Sequence, residues 1–190
     1  MTCEPTQTPA PENIDIPALR DKYRRERDKR IRREATDQYV EPKGEFADAY
    51  ESDPHMPVVP REPISEDVDV AILGAGWTGL LAAYHLKNAG VSTFRVIDWA
   101  GDFGGVWYWN RYPGLQCDND AYCYLPLLEE MGFMPSKKFA DGFEIHEYIQ
   151  SIASHFGLYE GGLFHTLVIA MRWDEAIGRW RLTTNRGDDI

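Results

Sequence analysis

Cysteine is scarce in this sequence, and the scarcity excludes two classes of protein. Cys3, Cys117 and Cys123 are the only three among 190 residues. An odd number without repeated spacing makes neither a disulfide framework nor a zinc site. Long apolar runs are also missing, since no stretch approaches the roughly 20 residues of a membrane span. The polar N-terminus holds no apolar core of a secretory signal. The expectation is a reducing, cytoplasmic protein without a membrane span. No internal repeat is visible. Positive charge is in deficit, with a net charge of −11, which argues against a general nucleic-acid binder. One segment opposes this: residues 20–33 hold nine Lys or Arg against three acids.

What is present suffices for one folded domain with an extension. Hydrophobic residues make up 43% of the chain, enough for a core, and six Trp and ten Tyr suggest aromatic-lined surfaces. Residues 1–17, rich in Pro, Thr and Glu, are expected to be disordered. Residues 18–35 read as a charged helix with only Leu19, Tyr23 and Ile31 as apolar contacts. So thin an apolar face suits a solvated helix on the protein body better than a membrane-surface or nucleic-acid element. Residues 41–66 mix prolines with acids and read as an extended wrapping segment. The division is therefore an N-terminal extension over 1–64 and an incomplete α/β domain over 65–190.

That domain is organised around residues 68–98. Residues 68–73 read as a buried parallel strand, followed at once by Gly74, Ala75, Gly76, Trp77, Thr78 and Gly79. A helix over 80–89 is stopped by Gly90. A second strand over 93–97 ends in Asp98. In a dinucleotide-binding βαβ unit Gly74 makes the tight turn, Gly76 admits the pyrophosphate, and Gly79 lets helix and strand pack closely. The free amides and dipole of the helix start hold the phosphates. Asp98 lies 24 residues after Gly74, near the offset of about 20 expected for an acid on a ribose 2′-hydroxyl. An acid there favours FAD or NAD over NADP. A glycine turn in a nucleotide-free α/β domain is the alternative.

A second glycine-rich turn, from Gly101 to Gly104 and Gly105, leads into Val106, Trp107, Tyr108, Trp109, Asn110, Arg111 and Tyr112. Apolar periodicity does not explain this run. It suits a wall against a flat heterocycle; a packed loop with Arg111 paired to an acid is the alternative. Asp118 is placed to influence a bound ring, or else is a turn or cap residue. Cys117 and Cys123 read as small buried residues. Asp141 is expected to cap a helix over 144–156 with Ile145, Ile149, Ile152 and Phe156 on one face. His146 and His155 are expected at the surface. Residues 167–170 and 179–184 read as strands, with Trp173, Asp174 and Glu175 in their connection. Residues 185–188 turn the second strand, and Ile190 enters a further strand with an unpaired edge.

From Gly104 and Gly105 through Trp107, Tyr108, Trp109, Asn110, Arg111, Tyr112, Pro113 and Gly114, with Cys117 and Asp118, the sequence resembles the Baeyer–Villiger monooxygenases, class B flavoproteins. The resemblance extends over about residues 65–190 and includes the glycine triplet, residues 122–127 and the hairpin that starts at Phe164, His165 and Thr166. The basic helix resembles the N-terminal extension of longer members. The resemblance implies a Rossmann-like FAD domain, a separate NADPH domain, and insertion of one oxygen of O₂ beside a ketone carbonyl to give an ester or lactone. By resemblance, Gly74, Gly76, Trp77, Thr78 and Gly79 hold the FAD pyrophosphate and Asp98 takes the adenosine ribose, where the family often has Glu. Gly105, Val106, Trp107, Tyr108 and Trp109 line the FAD, Asn119 and Tyr124 approach the flavin, and Val168 presents its backbone to the adenine. Gln116, Cys117 and Asp118 border the nicotinamide, and Asp118 is the candidate for tuning flavin chemistry.

Four family features have no counterpart in residues 1–190. These are the Phe-x-Gly-x-x-x-His-x-x-x-Trp signature, the second glycine triplet for NADPH, the arginine that stabilises the reaction intermediate, and the segment that returns to complete the FAD domain. Two other readings follow. One is a shortened, non-catalytic flavin-binding module. The other is a related flavin monooxygenase that oxidises nitrogen or sulfur.

Overall fold

The computed structural model describes residues 14–190 apart from 42, 46, 48–51 and 92. The expected disorder over 1–17 therefore lies mostly outside the described residues. The chain forms two compact units, one within residues 1–51 and one over 52–190.

In the first unit, helix α1 spans Ile16–Asp28. It starts earlier than residue 18 because Asp15 caps it, accepting the Ala18 amide at 3.0 Å, with Pro17 in the first turn. It also stops seven residues before the expected end. No residue of α1 is buried, so nothing apolar holds further turns against the repulsion among Lys29, Arg30, Arg32 and Arg33. A 3-10 turn, Ala35–Gln38, follows.

The second unit is built on three parallel strands in the order β1 (Val70–Leu73), β2 (Phe94–Ile97), β3 (Gly162–Leu163). Val70 pairs with Phe94, and Val96 with Gly162. Helix α2 (Trp77–Asn88) is the crossover between β1 and β2. Three single-turn helices follow, α3 (Val106–Trp109), α4 (Ala121–Tyr124) and α5 (Leu128–Met131). Helix α6 (Gly142–His155) buries Ile145, Ile149 and Ile152 as its periodicity requires, while Phe156 forms the C-cap. Leu80 and Ala83 of α2, Val96 of β2 and this face of α6 share one core. The α/β, Rossmann-like class expected from the glycine triplet is the observed one.

The other face is covered by a hairpin, β4 (Val168–Asp174) with β5 (Arg179–Thr184). Leu182 packs there with Ile97, Leu163 and Ile64. Strand β4 runs four residues past the expected end, so Trp173 and Asp174 lie in the ladder and the turn is residues 175–178. The Trp173–Trp180 cross-strand ring pair, centroids 5.6 Å apart, holds this extension. The terminal residues are also better paired than expected. Ile190 exchanges both backbone bonds with Leu182, and the Asp189 amide donates to Ile64 at 3.0 Å.

Among the described strands β1 is a sheet edge, which leaves Leu73 half exposed rather than buried. An open groove of about 800 Å³ runs between β1 and the hairpin, lined in part by Leu73, Met171, Trp173, Ile177 and Trp180.

The helix-strand contact at Gly79 leaves no room for a side chain, because an added Cβ would lie 1.8 Å from the Gly74 carbonyl oxygen. Gly90, with φ +82° and open space around it, is the contrasting case. Gly79→Ala is expected to cost about 3 kcal/mol or more, and Gly90→Ala only about 1 kcal/mol. Urea midpoints of the two variants check this; equal midpoints contradict the close contact.

Candidate functional site

The C-terminal ends of β1 and β2 open onto two glycine turns. In the first, Gly76 is the N-cap of α2 and brings no side-chain cap bond. The amides of the first helical turn, at Trp77, Thr78 and Gly79, are the ones that helix geometry leaves without partners. Asp98 ends β2 at the expected place. Its carboxylate accepts the Ala75 amide at 2.5 Å and the Ala100 amide at 2.7 Å, so it braces the first turn and the start of the second.

The second turn leans over the first. The Gly104 amide donates to the Ala75 carbonyl at 2.9 Å. Gly105 sits at φ +56°, and a Cβ there would come within 2.8 Å of the Gly76 Cα. At position 105 only glycine permits so close an approach to the first turn.

The aromatic run forms α3 and points mostly inward. Trp107 and Tyr108 are buried, Val106 is exposed and Trp109 is half-buried. Trp107 Nε1 donates to the Tyr124 hydroxyl at 2.9 Å, and the Tyr124 ring meets Trp77 edge-on at 6.3 Å. Trp77 Nε1 is buried and is the one such side-chain atom without a partner among the described residues. Arg111 pairs with no acid among them; its Nε donates to the Tyr108 carbonyl at 3.0 Å and its guanidinium lies over the Tyr108 ring.

Cys117 is buried as expected, its amide bonded to the Ala140 carbonyl at 2.9 Å, whereas Cys123 is exposed. Asp141 stands at the N-cap of α6 but makes no side-chain cap bond; its Oδ1 accepts from Gln116 and Lys137, each at 2.8 Å. Asp118 and Asn119 are exposed, and Val168 opens β4 opposite Thr184. Among the described residues, no hydrogen bond or ring contact joins Asp118, Asn119 or Val168 to the glycine turns. The structure brings together Gly74 to Gly79, Asp98, Gly104, Gly105, Trp107 and Tyr124. His146 is buried, not superficial; its Nε2 lies 3.1 Å from the Phe103 carbonyl oxygen. Burial there pulls its pKa below the usual imidazole range.

Sequence reasoning missed two buried acids around the second glycine turn. Asp102 accepts the Gln150 amide group and the Tyr159 hydroxyl, both at 2.7 Å, and ties the second turn to α6. Asp53 accepts the Gly101 amide at 3.0 Å, His165 Nε2 at 2.8 Å and the Tyr108 hydroxyl. Its other oxygen takes the His55 amide at 2.8 Å, an Asx turn that the Asp53, Pro54, His55 order signals. The long-range partners carry no local signal. Burial alone would raise the Asp53 carboxyl, but the bonds from Tyr108, His55, His165 and Met56 hold it at about 2. The same burial and the carboxylate push the Tyr108 hydroxyl upward.

Comparison with known proteins places this geometry. The family description NAD(P)-binding Rossmann-like domain matches residues 72–131. Neopentalenolactone D synthase of Streptomyces avermitilis is 50% identical over 92% of this chain and 30% of its own. Baeyer-Villiger monooxygenase 4 of a Dietzia species is 46% identical over 93% of this chain and 29% of its own. The solved polycyclic ketone monooxygenase of the fungus Thermothelomyces thermophila aligns at a TM-score of 0.73 with 37% identity, covering 93% of this chain and 30% of that one. The chain thus spans about 30% of the length of the curated relatives it matches. The resemblance carried by the aromatic run holds.

The Asp53 network gives the site an acid limit. A carboxyl depressed from 3.8 to about 2 adds stability that is full above its unfolded value and is lost as pH falls toward the folded one. Asp188 and Glu66 are depressed as well, mainly by hydrogen bonds from Arg61 and Arg95, so the wild-type acid response is a sum. Comparing wild type with Asp53→Asn isolates the Asp53 share, about 1 kcal/mol between pH 7 and pH 3. Urea unfolding at the two pH values should show the variant losing that much less; parallel losses contradict the assignment.

Proposed function

We propose that this chain is the FAD-binding N-terminal part of a Baeyer–Villiger type monooxygenase that uses NADPH and O₂ on a ketone. The observation that carries the reading is the face-to-face approach of Gly76 and Gly105 at the N-terminus of α2. Unpaired helix amides beside bare backbone suit a pyrophosphate, which needs donors and no Cβ. The match to a relative named an FAD-binding monooxygenase, 39% identical over 95% of this chain, supports the same ligand.

In this reading the amides near Gly74, Gly76, Trp77, Thr78 and Gly79 bind the pyrophosphate. Asp98 keeps lone pairs beyond its two amide bonds and accepts from the adenosine ribose. Its charge disfavours a 2′-phosphate at this site. Gly105, Val106 and Trp109 line the cofactor, while Trp107 and Tyr108 set that wall from behind. Val168 offers its backbone to the adenine. Gln116, Cys117, Asp118, Asn119 and Tyr124 lie toward the flavin and nicotinamide. Asp118 is exposed, so its carboxylate is available to bias the charge of a bound ring. FAD reduced by NADPH would, when bound here, activate O₂ so that one oxygen atom passes to the ketone and the other leaves as water. These residues bind and orient the FAD. No described helix is long and apolar enough to cross a membrane. With Cys117 and Cys123 both free, the proposed location is the cytoplasm.

Titration with FAD of the longest natural form of the protein, stripped of flavin and read by flavin fluorescence, tests the site. Binding is expected, and Gly105→Ala should raise Kd about tenfold or more. Absence of binding by the wild type, or an unchanged Kd in the variant, rejects it. Assays of the longest natural form with a ketone, an amine and a sulfide separate the chemistries. NADPH oxidation coupled to ester formation is the expected result, and turnover only with the amine or sulfide contradicts the Baeyer–Villiger assignment.

A further inference from the structure

Asp53 lies ahead of the glycine triplet in the chain and belongs to no dinucleotide motif. Its side chain is nevertheless 1% exposed. One of its oxygens collects donors from three separate places around the second glycine turn. The Gly101 amide begins that turn, Tyr108 follows it on α3, and His165 stands after β3 with φ +50°. The three groups close on one point, since an added Cβ at Gly101 would lie 2.7 Å from both the Tyr108 hydroxyl and His165 Nε2. A carboxylate only accepts, so His165 carries its proton on Nε2.

We infer that Asp53 is a positioning residue for the cofactor cradle, holding the second glycine turn at the distance from the first that a pyrophosphate requires. The inference rests on the FAD site proposed above. Without the carboxylate, the Gly101 amide and the His165 Nε2–H keep only the Tyr108 hydroxyl as an acceptor, and the Tyr108 O–H loses its own. Buried donors left unpaired are costly, and the turn relieves them by moving outward. The joint that then loosens is the Gly104 amide bond to Ala75. Residues 52–64 are therefore part of the site, and residues 65–190 alone do not build it.

Three variants of the 190-residue chain test this, Asp53→Asn, Tyr108→Phe and Glu66→Gln. Glu66 anchors the same segment to Arg95 of β2, away from the turns, with bonds of 2.5 and 2.7 Å. Two measurements are made, FAD affinity and the hydrogen-exchange rate of the Gly104 amide in the cofactor-free chain. Asp53→Asn should raise the FAD Kd and the Gly104 exchange rate about tenfold each. Tyr108→Phe should do the same by about threefold, and Glu66→Gln should lower Tm with both readouts within about twofold of wild type. Wild-type Gly104 exchange in a folded Asp53→Asn chain overturns the inference. So does a Glu66→Gln chain that matches Asp53→Asn, since general docking of the segment then explains the effect. If Asp53→Asn does not fold, Tyr108→Phe decides by the same two readouts. If the wild type binds no FAD, the functional proposal fails while Gly104 exchange still decides the positioning claim.

Discussion

The second unit depends on holding two stretches of bare backbone against each other. Gly105 meets Gly76 so closely that a side chain on Gly105 would collide, and one backbone bond, Gly104 to Ala75, joins their turns. Such contact gains little apolar burial by itself, so other groups must fix it. Three carboxylates do so. Asp98 takes amides at Ala75 and Ala100, Asp102 ties the second turn to α6, and Asp53 ties it to the segment ahead of the sheet. Each is an acceptor surrounded by donors, the arrangement that makes a buried acid tolerable.

The same logic secures the wrapping segment. Arg61 forks onto the fully buried Asp188 with bonds of 2.5 and 2.6 Å, and Glu66 grips Arg95 in the same two-pronged way. Residues 52–66 therefore act as a polar strap across both ends of the sheet. Residues 1–51 form a separate unit without such buried ion pairs among its described residues, and its ion pairs, such as Arg24 with Asp21, are exposed.

How much was legible in the sequence depended on range. The βαβ unit around the glycine triplet, the place of Asp98 at the end of β2 and the apolar face of α6 were readable because their signals are local spacings. The end of α1 was misplaced because helix formers persist past Asp28 while apolar contacts do not. The length of β4 was underestimated because Trp173 reads as a turn neighbour until its partner Trp180 is known. His146 and Asp53 were missed or misjudged for the same reason. Their burial comes from Phe103, Gly101, Tyr108 and His165, all remote in sequence. The aromatic run was recognised as special, but only the fold shows that Trp107 and Tyr108 turn inward.

The most direct measurement is a crystal structure of the chain grown with FAD. The account predicts pyrophosphate density alongside the paired Gly76 and Gly105 backbones, within hydrogen-bond reach of the first-turn amides of α2, with the ribose against Asp98. FAD seated elsewhere, or glycine turns drawn apart with the cofactor bound, would contradict it.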